Sequence, residues 1–222
     1  MGAALLRLRL LAGANWRERA IAALGAGLGI AFAGAIAAPL VGSHAALLLA
    51  ASLGASAVIV FAVPSSPLGQ PWPVIGGTIL ATGTGVFVAQ TLGHGVLAAG
   101  VAVGLSIVVM SAARCLHPPG GGCALVPVLA GPEIMAKGYA FALVPGGVNA
   151  ALLVLAALIF HRFSGHSYPH RPALAPAHPR ILPEDIDAAL EDAHESFDVS
   201  REDLAALLES AERHAIARRR AR

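Results

Sequence analysis

Residues 20–113 read AIAALGAGLGIAFAGAIAAPLVGSHAALLLAASLGASAVIVFAVPSSPLGQPWPVIGGTILATGTGVFVAQTLGHGVLAAGVAVGLSIVVMSAA, without a single Lys, Arg, Asp or Glu. A soluble domain of this length cannot keep its surface hydrated without charges. A bundle in lipid can, because hydrocarbon replaces water around its outer face. The stretch ends at Arg114 and runs into His117-Pro118-Pro119-Gly120-Gly121-Gly122. The chain is therefore read as an all-α, polytopic helical membrane protein, with its function centred on the His-Pro-Pro interruption.

Composition divides the chain in two. Residues 1–160 hold six basic residues (Arg7, Arg9, Arg17, Arg19, Arg114, Lys137) and two acidic ones (Glu18, Glu133), whereas residues 161–222 hold nine and eleven. The formal charge of +2 averages two unlike regions. A hydrophobic fraction of 56% and a mean hydropathy of +0.71 belong to membrane proteins. Cys115 and Cys123, the only cysteines, make no disulfide framework. Met1 to Leu11 reads as a short amphipathic lead-in, since no small-residue cleavage site follows a proper apolar core. The four arginines before residue 20 predict a cytoplasmic N-terminus. They serve topology, so no nucleic-acid partner is expected.

A bilayer core of about 30 Å needs roughly 20 apolar helical residues. Ile21 to Val41 meets that, with Gly25, Gly27, Gly29 and Gly34 giving a small-residue face for helix contact. Ala45 to Val63 follows, interrupted by Ser52-Leu53-Gly54-Ala55-Ser56. Pro64 to Pro73, with four prolines, is a charge-free loop. Further segments run from about Val74 to Thr91, Val96 to Ala113 and Tyr139 to Phe160. The run Cys123 to Ala130 is too short to cross alone.

The order long–broken–long occurs twice, a faint internal repeat. If each unit crosses three times the halves are inverted; if the broken pieces dip in and return, the halves are parallel. The expected fold thus has four to six membrane segments with broken or re-entrant helices, and a short cytoplasmic helical tail. Its regions are a membrane domain over 1–165, a Pro- and His-rich linker over 166–182 and the tail over 183–222.

In the tail, Pro183-Glu184-Asp185 opens one helix, with acids at its positive dipole end. Ile186, Leu190 and Ala193 form its apolar stripe. Ser200 with Asp203 resembles a capping box for a second helix, whose apolar face uses Leu204, Leu207, Leu208 and Ala211. Its terminal arginines suit the negative dipole end or an anionic lipid surface.

Pro118 and Pro119 stop a helix at membrane depth, where irregular backbone persists only inside protein or beside water. A half-helix starting near Gly121 or Gly122 presents unpaired N–H groups to an anion, and glycines allow close approach. The break at Gly54 is expected to offer a second set of donors, with the Ser52 and Ser56 hydroxyls added; paired half-helix ends of this kind occur in secondary transporters. His117 can pair with the anion, relay a proton or fix the turn through a carbonyl. Arg114 can attract anions at a pore mouth or lie at the interface. Gln70, Ser65 and Ser66 can line a vestibule or serve the turn. Cys115, His117 and Cys123 suggest a metal, but lack a fourth ligand and an acidic outer shell. His161, His166 and His170 suggest a metal or a pH sensor at the membrane edge, or a solvated linker. No nucleophile–base motif, phosphate loop or carboxylate pair appears in the apolar region, so no enzyme activity and no cofactor are expected.

His117-Pro118-Pro119 followed by glycines and Ala124-Leu125 resembles the signature of the HPP family of integral membrane proteins. The resemblance extends to Ser52-Leu53-Gly54-Ala55-Ser56-Ala57, to Pro64-Ser65-Ser66-Pro67-Leu68-Gly69-Gln70-Pro71, to Gly76-Gly77 and to Tyr168-Pro169. It implies four membrane spans and, from the plant members' association with nitrite transport into plastids, a small monovalent anion as cargo. Bacterial members often carry cytoplasmic CBS domains, and Pro183 to Arg222 resembles the connector before them. Where the family often has Arg-Asn after Gln-Pro, this chain has Trp72-Pro73; Thr78 stands in the place of a histidine, and Gly120-Gly121-Gly122-Cys123 replaces a Pro-Ala-Gly-Ala continuation.

The expected function is a transporter or channel for nitrite, or next nitrate, in a bacterial inner membrane, with both termini cytoplasmic and a homo-oligomer possible. Its substrate-binding candidates are His117, Pro118, Pro119, Gly120, Gly121, Gly122, Ser52, Gly54, Ser56, Gln70, Thr78 and Arg114. The alternative is a membrane anchor or signalling module whose tail helices bind a partner.

Overall fold

A computed structural model describes residues 16–41, 43–129, 132–171, 182–193 and 198–220. The amphipathic lead-in with Arg7 and Arg9, and most of the Pro/His linker, lie outside them. The described residues form helices and turns, with no strand among them.

Helix α1 (Trp16–Val41) shows how the sequence builds an inside-out bundle. Its inward face carries Ala22, Gly25, Gly29, Ala33 and Ala37, all buried, while Leu24, Leu28, Phe32 and Ile36 stand exposed at fourfold spacing. Both faces are apolar, so size rather than polarity sorts them: small residues admit a neighbour and large ones meet lipid. Of the four glycines expected at this contact, Gly25 and Gly29 do pack on Phe61, whereas Gly27 and Gly34 have open space where a Cβ would stand.

Helix α2 (Ser43–Ala62) runs unbroken through Ser52-Leu53-Gly54-Ala55-Ser56. The second helix break, and with it the second set of amide donors, is absent. Glycine and serine weaken a helix mainly where water competes for the backbone; in an apolar surround the i→i−4 bonds have no rival. After a short 3₁₀ turn (Pro67–Gly69) come α3 (Pro71–Leu92), α4 (Val96–Ala112), the half-helix α5 (Gly120–Leu129), the single turn α6 (Pro132–Met135), a π-helical turn (Ala142–Gly147) and α7 (Val148–Ser164). Gly165, at φ +83°, caps α7 in the left-handed region.

Three helical stretches, 16–39, 71–92 and 142–164, are long and apolar enough to cross a bilayer. The packing orders the shorter ones. Gly25 near the start of α1 lies beside Phe61 and Phe160, at the ends of α2 and α7. The Trp72 indole N–H donates to Ala113 O at 3.3 Å, joining the start of α3 to the end of α4. Gly77 backs onto Cys115 and His117, Gly85 onto Ala124, and His94 Nδ1 donates to Val128 O at 2.7 Å, so α5 runs alongside α3 in the same direction. The His-Pro-Pro segment and α5 together traverse the bundle. The described helices thus run from end to end six times, α1–α2–α3 and then α4–α5–α7 in the opposite sense. This is the inverted version of the repeat, with six passages in place of the four spans the resemblance implies. The start of α1 and the end of α7 share the end that carries Pro64–Gln70 and Arg114.

Two apolar cores flank α3. One joins Leu53, Val60 and Phe61 of α2 to Val74 and to Leu153 of α7; the other joins Ala81 and Val88 to Met110 of α4 and Cys123 of α5. In the tail, α8 (Pro183–Ala193) buries Ile186, and α9 (Arg201–Arg220) starts with the expected cap: the Ser200 hydroxyl bonds Asp203, whose N–H returns to Ser200 Oγ at 3.1 Å. Leu207 and Ala211, expected on the apolar face of α9, are exposed.

Candidate functional site

The motif begins where α4 frays. Cys115 N–H donates to Met110 O at 2.9 Å, and the intervening turn places Arg114 in the left-handed region at φ +52°. Arg114 is exposed, unlike the buried groups of the motif. The chain then re-enters the bundle along a floor of glycine: a Cβ on Gly77 would stand 2.7 Å from both Cys115 O and His117 Cβ. Real Cβ atoms do not approach so closely, so Gly77 is required to let the segment in.

His117 is fully buried. Its Nδ1 lies 2.9 Å from Leu68 O, which can only accept, so Nδ1 carries the proton. Nε2 of the neutral ring then accepts from the Ser56 hydroxyl at 2.8 Å. Both ring nitrogens are engaged, leaving no donor for a ligand. Of the three roles open to it, the geometry fits the third: His117 ties the re-entrant turn to the Pro64–Gln70 loop and to α2.

The half-helix start also differs from expectation. Gly120, Gly121 and Cys123 N–H groups bond the carbonyls of His117, Pro118 and Pro119 at 2.8, 3.1 and 3.2 Å. Those amides close the turn rather than wait for an anion. Gly122 is the first-turn residue outside this set; a Cβ there would stand 3.5 Å from Ser52 Cβ. Pro118 and Gly122 are exposed, and Pro119 and Gly120 are buried, Gly120 under Met110.

Beside the half-helix, α2, α3 and α5 bring together side chains from distant parts of the sequence. The Cys123 thiol lies next to the Ser52 and Thr78 hydroxyls. All three residues are buried, and Thr78 Oγ1 makes no hydrogen bond of good geometry. Across from it, a Cβ on Gly146 would stand 3.6 Å from Thr82 Oγ1 and 4.0 Å from Thr78 Cγ2. One turn along α7, Asn149 is buried with its Oδ1 also unpartnered. Buried polar atoms without partners are rare and call for an explanation. This group is uncharged, and within it the Thr78 hydroxyl is the donor with capacity for a ligand.

Gln70 lies elsewhere. Its Nε2 donates to Pro64 O and Ser66 O at 3.0 and 2.8 Å, and its Oε1 accepts from the His170 N–H at 2.8 Å, so it staples its own loop. Gly54 sits mid-helix with open space beside it. Among the described residues no three His, Cys, Asp or Glu side chains converge to hold a metal. His161 donates through Nε2 to Val60 O at 3.0 Å, and His170 pairs with Asp203 at 2.8 Å. An apolar groove of about 600 Å³ opens between α3, α4 and residues 139–143, lined by Leu80, Phe87, Leu105 and Tyr139, and shares no residue with the polar cluster.

Several participants are missing from the sequence reading. Cys123 enters it only as a metal ligand, Leu68 acts through its carbonyl, and Asn149 is an isolated amide in an apolar run. The Gly76-Gly77 pair, part of the family resemblance, is the available signal for the floor under His117. Gly85 carries none, since glycine is common throughout the apolar region.

Comparison with known proteins places the chain among transmembrane proteins. Residues 12–169 match the family model described as HPP, transmembrane region. Two transmembrane proteins of Dictyostelium discoideum are similar: one is 40% identical over 126 residues, 54% of this chain and 44% of that protein, and the other is 34% identical over 122 residues, 53% and 39% respectively. The chain thus spans less than half the length of these curated relatives. No solved structure matches it. With the match covering both halves of the bundle and the His-Pro-Pro turn between them, the chain belongs to the HPP family of transmembrane proteins.

Proposed function

We propose that this chain is a carrier for a small monovalent anion, nitrite first and nitrate next, and not an enzyme. It would reside in a bacterial inner membrane with both ends of the membrane domain facing the cytoplasm. The observation that carries the reading is the Thr78 hydroxyl, buried beside Cys123 and Ser52 and making no hydrogen bond of good geometry. An anion leaving water loses hydration worth many kcal/mol, which only oriented donors can replace. Hydroxyl and thiol dipoles supply them without a fixed cation that would trap the cargo, and the positive end of α5 adds a favourable potential. Proteoliposomes holding the protein should take up nitrite faster than protein-free liposomes, under a pH gradient or an imposed potential. Equal rates under both conditions would reject the reading.

The second reading, an anchor whose tail binds a partner, is favoured by the exposed Leu207 on α9. Removing residues 181–222 separates the two: a carrier keeps its flux, and an anchor loses its partner.

A further inference from the structure

We propose that the tail is an intramolecular clamp on the His-Pro-Pro turn, acting through one residue, Leu68. This goes beyond the carrier reading and does not depend on the cargo. Leu68 is gripped from both sides: its carbonyl takes the proton of His117 Nδ1 at 2.9 Å, and its N–H donates to Ser66 Oγ at 3.2 Å. Ser66 is buried, and its hydroxyl proton goes to Asp198, with Oδ1 at 2.8 Å and Oδ2 at 3.0 Å. A hydroxyl has one proton. Giving it to the Asp198 carboxylate turns the oxygen lone pairs toward Leu68 N–H, so the tail sets the orientation of the peptide that holds His117.

A second contact secures the same loop. Asp203, in the first turn of α9, lies 2.8 and 3.0 Å from His170 Nε2, and the His170 N–H donates to Gln70 Oε1 at 2.8 Å. Gln70 in turn binds two carbonyls of the loop. Two tail carboxylates thus converge on the eight or so residues that connect α2 to α3 and close over the motif. Hydrogen bonds to ionised groups are roughly twice as strong as neutral ones. The clamp is a stable resting contact that a ligand or partner of the tail would have to displace. Losing it frees Ser66 and Leu68, and with them the outer support of His117.

The chain carries its own reporters, because its two cysteines, Cys115 and Cys123, flank the turn and are buried. The test uses the full chain in lipid nanodiscs and a small maleimide. Asp198→Ala combined with His170→Ala removes both contacts and leaves the Ser200–Asp203 cap of α9 in place. Cys115 should then label about tenfold faster, the change expected when local opening becomes easier by the worth of one or two such bonds. Glu202→Ala, beside the clamp but outside it, should label at the wild-type rate. An unchanged Cys115 rate in the double variant overturns the proposal. Amide hydrogen exchange on the same proteins is the second readout, and it remains decisive if labelling is altered by partial unfolding. Faster exchange at residues 66–70 and 115–123, with α3 and α7 still protected, supports the clamp; acceleration confined to residues 182–220, or spread over the whole bundle, overturns it.

Discussion

Gly85 of α3 packs directly on the main chain of Ala124 in the half-helix: a Cβ at Gly85 would fall 2.1 Å from Ala124 O and 2.9 Å from its carbonyl carbon. Backbone cannot move aside as a flexible side chain can, so α5 owes its position to this missing atom. Gly85→Ala should force α5 outward and destabilise the membrane domain by about 1–3 kcal/mol, the usual cost of overpacking, or more. Gly27→Ala and Gly34→Ala, where nothing lies within 4 Å, should be neutral or stabilising by about 0.5–1 kcal/mol. Thermal unfolding in detergent, followed by size-exclusion chromatography, ranks the three; equal behaviour would contradict the α3–α5 contact.

His117 joins three segments, so its loss should be felt in all of them. His117→Ala leaves Leu68 O and Ser56 Oγ without their partner and opens a cavity, a combined cost of roughly 3–5 kcal/mol. His117→Asn places an amide N–H near the former Nδ1 position and should retain part of that stability. Ser56→Ala alone should cost about 1 kcal/mol and little more in the His117→Ala background. A double-mutant cycle on unfolding free energies checks the coupling; strict additivity would show that the Ser56 bond contributes nothing.

Tyr168 holds the end of α7 to the same loop, its phenol donating to Gly69 O at 3.0 Å. Burial pushes the phenol's pKa above its ordinary value, favouring the neutral donor. A group whose pKa is raised on folding contributes stability below its unfolded pKa, about 10 for tyrosine, and loses it as pH rises further. The melting temperature of the wild type should therefore fall above about pH 10. Tyr168→Phe should start about 1 kcal/mol less stable at neutral pH and show a shallower alkaline decline. Parallel slopes in the two proteins would count against this role.

The bundle was legible because charge is absent over residues 20–113 and because proline marks the loop and the motif. Tail helices and the Ser200–Asp203 cap were legible from local spacing. Two expectations about the backbone failed. Gly54 and its serines do not break α2, because nothing nearby competes for its hydrogen bonds. The half-helix amides do not stay open, because the turn brings the carbonyls of residues 117–119 to them first. The cluster of Ser52, Thr78 and Cys123 joins three helices, and no local pattern encodes that meeting.

Thr78 separates a structural role from a functional one, since the two move different measurements. Its hydroxyl is buried and makes no hydrogen bond of good geometry, a condition that weakens the fold. Thr78→Val keeps the shape and removes the unsatisfied group, so the protein should gain up to about 1 kcal/mol in stability. If the hydroxyl meets the cargo, the same change removes a donor from the transport path and should lower nitrite uptake about tenfold. Ser52→Ala should lower uptake in the same direction. Unfolding and proteoliposome flux measured on one preparation give the answer. A more stable protein with diminished flux supports the site, whereas a more stable protein with full flux moves the cargo's path away from Thr78 and the half-helix.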